Sequence, residues 1–385
     1  MCTTCFGAHV EDLAFECELT LPEARRLAQL GLNAVDPGVH AESLHHLADP
    51  VVARAYFDAL FGAFPHEAWL LLDAQVQRAR VAGVESAGVE LAAAHVAECR
   101  GDIDEWVARL DAALRLDPEF GPARHDRAFA AILASDRTTA RRLVEGADGF
   151  HAEAMRALLV LAEPAAVRVG RNHSCPCGSG RKSKRCCRGR IHDPELHDRM
   201  LWTLLSLWLG RFPNDGARRR LGIRLAADEL DVADTDHEHL IDLLLTEPLT
   251  VTVALFDDGF LERFLATSGR LLPASDREIV ERWRHAGNRL WEVLAVDEGR
   301  SAEVVDMVSG EVRTIVDEPP GCCVIPGRHL YGAVIPLGER WCMPSHLAVD
   351  PLDVPELADR LADGDDPLDI AGEVYRVVRE CPCCR

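Results

Sequence analysis

The sequence predicts a mainly α protein with a small β part. It has a helical-repeat-like N-terminal half, a central cysteine knuckle that fits zinc, and a C-terminal half of helices plus a small β-barrel-like sheet. Three observations predict this. Apolar residues recur at helical spacing through most of the chain up to Gly287. Four cysteines crowd into the thirteen residues from Cys175 to Cys187. After Gly287 the apolar pattern becomes an alternation, the period of a half-buried strand.

Composition narrows the function classes. A chain of 385 residues is long for one core, so two or three domains are expected. The 48% hydrophobic content is enough to fill them. A net charge of −21 argues against bulk binding to nucleic acid or to an anionic membrane. The N-terminal Met1-Cys2-Thr3-Thr4-Cys5-Phe6 has no basic region followed by an apolar core, and no run of eighteen apolar residues occurs. A cytoplasmic location is therefore expected, with no membrane contact. In that compartment fourteen cysteines point to metal sites before disulfides.

Residues 1–64 read as a cap of short helices. Thr20-Leu21-Pro22-Glu23 combines a capping box with an early proline, and Leu21, Ala24, Leu27 and Leu30 follow on one face. Residues 65–165 are almost wholly helical. Ala94 and Ala113 recur as Ala128 and Ala147, with Gly101 at a turn and Leu116-Asp117-Pro118 closing the first copy. In the second copy Asp136-Arg137-Thr138-Thr139 stands where a glycine turn is expected, and no proline closes it. The spacing resembles two tetratricopeptide repeats, which would offer a concave face to peptides. A plain helical bundle is the alternative.

Residues 168–190 form the knuckle. Cys175-Pro176-Cys177 and Cys186-Cys187 present two pairs of soft donors, and eight residues suffice to fold one pair back onto the other. Gly178 and Gly180 allow the tight turns this needs. From Ala165 to His192 there are eight Arg and Lys and no acid. Removing these eight from the chain's 42 cations leaves 34 against 63 Asp and Glu. Such cations lower thiol pKa and offset the −2 charge of a zinc tetrathiolate. Arg181, Lys182, Lys184 and Arg185 are the candidate partner contacts, and Lys182 and Lys184 are the only lysines in the chain. Four protein thiolates leave zinc no open position, so the ion is expected to be structural.

This stretch resembles the SEC-C motif, the zinc module at the C-terminus of the bacterial preprotein translocase ATPase. Gly170-Arg171-Asn172, then Cys-Pro-Cys-Gly-Ser-Gly, then a basic run before the second cysteine pair carry the resemblance, over Val169 to Gly189. It implies zinc ligation by Cys175, Cys177, Cys186 and Cys187, with His173 outside the ligand set. It also implies docking, since the translocase module binds an export chaperone and the ribosome. Nucleic acid is reached only through the local basic knuckle.

Residues 194–286 return to helix. Met200, Leu201, Leu204, Leu205, Trp208 and Leu209 make a broad apolar stripe, and Trp202, Trp208 and Trp283 are expected in the core. The run from Asp234 to His239 reads as an acidic helix start. Ser275-Asp276-Arg277-Glu278 reads as a capping box. Within residues 288–350 five strands are expected: 290–296, 302–308, 311–316, 330–337 and 340–343, with a hairpin turn at Ser309-Gly310. Residues 353–385 are helical and end in a cysteine-rich tail. Cys381, Cys383 and Cys384, with Cys2 and Cys5 or with Cys322 and Cys323, are the candidates for a second zinc beyond the one expected.

The chain lacks a Gly-x-x-x-x-Gly-Lys loop, a Gly-x-Ser-x-Gly elbow and a His-Glu-x-x-His helix. The reading is therefore a zinc-binding docking or adaptor protein without catalytic residues. The alternative is a metal-dependent hydrolase or nuclease that uses the knuckle to deliver substrate. That alternative requires carboxylates and histidines converging in a C-terminal pocket.

Overall fold

The structure is a computed structural model that describes residues 20–35, 41–63, 68–145, 150–161, 165–166, 172–173, 181–185, 190–191, 194–211, 214–225, 248–297, 301–316 and 324–378. It is mainly α with a small β part and resolves into two compact units. The first comprises Met1–Met155, Trp208–Leu221 and Glu262–Arg277. The second comprises Arg156–Leu207, Gly222–Leu261 and Glu278–Arg385.

The first unit opens with α1 (Leu21–Val35). Its capping box forms in part: the Thr20 amide donates to the Glu23 carboxylate at 2.7 Å. Ala24, Leu27 and Leu30 are buried, as the helical spacing requires. A 3₁₀ segment, Ala41–Ala48, leads into α2 (Pro50–Ala63) and α3 (Ala68–Val81).

Next come two helical hairpins: α4 (Ala87–Arg100) with α5 (Ile103–Leu116), and α6 (Gly121–Leu133) with α7 (Arg137–Val144). Each helix of the second pair starts 34 residues after its counterpart. The caps repeat as well. Asp102 caps α5 by accepting from the Glu105 amide, and Asp136 caps α7 by accepting from the Thr139 amide. The sequence suggested that the second copy lacks the glycine turn. The backbone keeps the turn all the same. Gly101 has φ 75°, and Ser135, 34 residues on, takes φ 56°. The same pair of amide-to-carbonyl bonds ties each turn: Gly101 to Glu98 with Asp102 to Ala97, and Ser135 to Ile132 with Asp136 to Ala131. Ala94 and Ala128 are both fully buried, which lets the paired helices approach. Ala147 lies outside the described residues.

In the second unit a seven-stranded sheet curls into half a barrel. Its strands are β3 (Asn288–Asp297), β4 (Ser301–Asp306), β5 (Val312–Val316), β6 (His329–Ala333), β7 (Ile335–Leu337), β8 (Arg340–Cys342) and β9 (Leu347–Val349), in the order β7-β8-β5-β4-β3-β6-β9. Pairing is antiparallel except between β5 and β8, where Ile315 faces Trp341. The expected strand 330–337 is split at Val334, and β9 was not expected. The turn after β4 holds Gly310 at φ 71°, and the Asp306 carboxylate accepts from the Val308 amide at 3.0 Å.

One face of the sheet encloses Trp291, Val293, Val304, Ile315, Leu330, Val334 and Met343. The other face packs on helices. Leu290 and Tyr331 are fully buried there, and α11 (Pro248–Phe256) reaches β3 and β6. Thr252 on α11 donates to Asn288, which donates to Asp257. Burial raises the Asp257 carboxyl to about 6. α14 (Val354–Asp363) and α15 (Pro367–Val378) complete this layer, with Tyr375 within 2.9 Å of Thr250.

Besides α8 (Phe150–Leu161), α10 (Asp215–Leu225) and α12 (Phe260–Ala266), the chain forms α9 (Pro194–Gly210), which carries the expected stripe with all six of its named residues buried. Of the three tryptophans, Trp208 and Trp283 are buried, whereas Trp202 is half-buried and stacks on Phe256 at 6.2 Å. α13 (Ala274–Arg282) begins one residue before Ser275. Pro273 accepts the first helical amides, from Asp276 and Arg277, so Ser275 lies inside the helix and does not cap it. Its hydroxyl bonds Asp276 instead.

Candidate functional site: a basic knuckle

The knuckle starts from a two-residue antiparallel ladder. β1 (Ala165–Ala166) pairs with β2 (Arg190–Ile191), with Ala165 opposite Ile191 and Ala166 opposite Arg190. The chain therefore leaves this ladder at Ala166 and returns to it at Arg190. Within the excursion the Ser183 amide donates to the His173 carbonyl at 2.9 Å, which joins the lead-in to the basic run. Ser183–Arg185 then form a 3₁₀ turn, with the Arg185 amide donating to Lys182 at 2.8 Å. Ser183 is small enough to sit inside the turn and is 2% exposed.

That turn sends the charges outward. Arg181, Lys182, Lys184 and Arg185 are all exposed and surround a hollow of about 390 Å³. Four cations around one hollow raise the local concentration of anions, an effect that salt screens over about 8 Å at physiological ionic strength. His173 is exposed and takes part through its carbonyl. Cys175, Cys177, Cys186 and Cys187 lie outside the described residues, as do Cys2, Cys5, Cys322, Cys323, Cys381, Cys383, Cys384 and the run from Asp234 to His239. The described cysteines, Cys99 and Cys342, are free thiols, and burial pushes each up to about 12.

A second feature, a buried charge cluster in the first unit, left no signal in the sequence. Arg211, 8% exposed, donates to Glu98 at 2.6 Å and pairs with Asp126 at 3.0 Å. Its guanidinium lies over the rings of Trp106 and Phe129, 5.3 and 4.9 Å from their centroids. Ser268 donates to Glu98 at 2.7 Å and accepts from the Trp208 indole at 3.1 Å. His95 lies alongside, and burial drives its imidazole down to about 3 against the pull of Glu98, so it stays neutral. The surface formed by the end of α4, the start of α5 and the middle of α6 is thus filled by the chain's own segments.

A cleft in the second unit brings Glu278, Glu281 and His285 together with Arg282 and Arg313. Among the described residues no three His, Cys, Asp or Glu side chains come together as metal ligands, and no helix is long and apolar enough to cross a membrane. Comparison with family models, curated proteins and solved structures finds no match to this chain.

Proposed function

We propose that the chain is a docking protein of the cytoplasm whose contact point is a zinc-ordered basic knuckle. Cys175, Cys177, Cys186 and Cys187 would hold one Zn²⁺, and Arg181, Lys182, Lys184 and Arg185 would meet an acidic protein partner. The observation that carries this reading is the four exposed cations around one hollow, inside an excursion that β1 and β2 close at its base. The donor set fits the ion: four thiols in two close pairs, in a stretch with no acid, suit tetrahedral Zn²⁺. Bound zinc supplies a fixed scaffold and a −2 thiolate charge that the cations offset. The chain's own residues do the recognising. Lys182 and Lys184 present compact ammonium charges, while Arg181 and Arg185 can grip carboxylates in two-point fashion.

The test is charge reversal. Replacing Lys182, Lys184 and Arg185 by Glu should weaken capture of an acidic partner at least tenfold at low salt and less at high salt. The unfolding transitions should not move. Capture that survives the reversal unchanged contradicts the proposal.

A further inference from the structure

The inner face of the curled sheet is largely apolar, and Arg313 lies on it. In the β4–β5 register Arg313 faces Val304 and Ile315 faces Ala302, so the arginine shares the face that encloses the core. A charge on such a face needs compensation. Here the guanidinium lies 3.9 Å from the ring centre of Trp341 and 5.8 Å from that of Trp291. Glu311 accepts from its Nε at 3.0 Å and from Nη2 at 2.8 Å. The group is thereby held in one orientation with its Nη1 edge unused by Glu311.

That arginine lines a cleft of about 690 Å³, within the size range of small-ligand sites. Val334, Pro336 and the half-buried Trp341 form its apolar wall. Arg282 and His285 stand on the opposite wall and are exposed, with no hydrogen-bond or ion-pair partner among the described residues. The two walls are fixed together, because the buried Trp283 indole donates to the Pro336 carbonyl at 3.0 Å. A cleft with a ring platform, one arginine held in place by Glu311 and an exposed Arg282 on the facing wall is an arrangement that pre-pays the ordering cost of binding.

We propose that this cleft binds a small molecule carrying a planar ring and one anionic head. The ring lies along Trp341, Val334 and Pro336, and the head meets Arg282 and Arg313. Glu278 and Glu281 on the same wall repel extended polyanions, which restricts the ligand to a small one. The inference does not rest on the knuckle.

Titration calorimetry of the full chain tests it with three probes: indole-3-acetate, adenosine 5′-monophosphate and the uncharged indole-3-acetamide. At least one anionic probe should bind saturably with Kd of about 1 mM or tighter. Binding by the first alone assigns a carboxylate head, and by the second alone a phosphate head. Arg282→Glu, an exposed change, should weaken that binding at least tenfold without moving Tm. Trp341→Leu should weaken it as well. Absence of saturable heat with both anions, equal binding of the amide, or binding indifferent to Arg282→Glu each overturns the proposal.

Discussion

Arg211 shows how much one residue can determine here. Arginine is among the side chains least often buried, yet this one is enclosed by Glu98, Asp126, Trp106 and Phe129. It draws the segment after α9 onto helices more than a hundred residues earlier, since Glu98 and Arg211 are 113 apart in sequence. Losing one partner strands a charge inside the unit. Glu98→Ala should therefore destabilise the first unit by about 3–5 kcal/mol. The triple change Glu98→Met, Asp126→Asn and Arg211→Met should restore much of that loss, because no charge of the cluster is then left unpaired. Urea titrations of the full chain followed by circular dichroism and tryptophan fluorescence would measure both. A triple variant no better than the single one contradicts this account of the cluster. None of this was legible in the sequence. The Leu-Gly-Arg-Phe context of Arg211 looks like an ordinary exposed helix end, and its partners are set by tertiary packing alone.

At the scale of elements, the helical hairpins were the best-read part of the chain. The recurrence of Ala94 at Ala128 reflects a packing requirement, and the helices do repeat at 34 residues. The turn was misread because composition hides conformation: Ser135 adopts the left-handed angle that a glycine signals openly. This gives a reciprocal test. Gly101→Ala places a Cβ at φ 75° and should lose roughly 1–2 kcal/mol. Ser135→Gly should gain about 0.5–1 kcal/mol by relieving the same strain. Tm shifts of opposite sign in the two variants are the expected result, and shifts of the same sign contradict the equivalence. The strands were legible where alternation runs long, as in β3 and β4. Three-residue strands such as β9 carry too short a pattern to register. The break at Val334 left no mark in the alternation, since Leu330 and Val334 share one core as they would in an unbroken strand.

For the whole molecule, the organising fact is the separation of charge. Eight cations and no acids occupy one stretch of a chain that is strongly acidic elsewhere. Such a distribution lowers the body's general attraction for polyanions and concentrates basic charge at the knuckle. The cysteine motif itself was plain in the sequence, because its spacing is local. The hollow and the β1–β2 base were not, since they depend on how residues 166 and 190 meet. The most direct measurement is zinc per chain on reduced, purified protein, compared with the Cys186→Ser, Cys187→Ser variant. The account predicts one zinc in the parent and none in the variant, with partner capture lost alongside it. No zinc in the parent, or one zinc in both proteins, contradicts it.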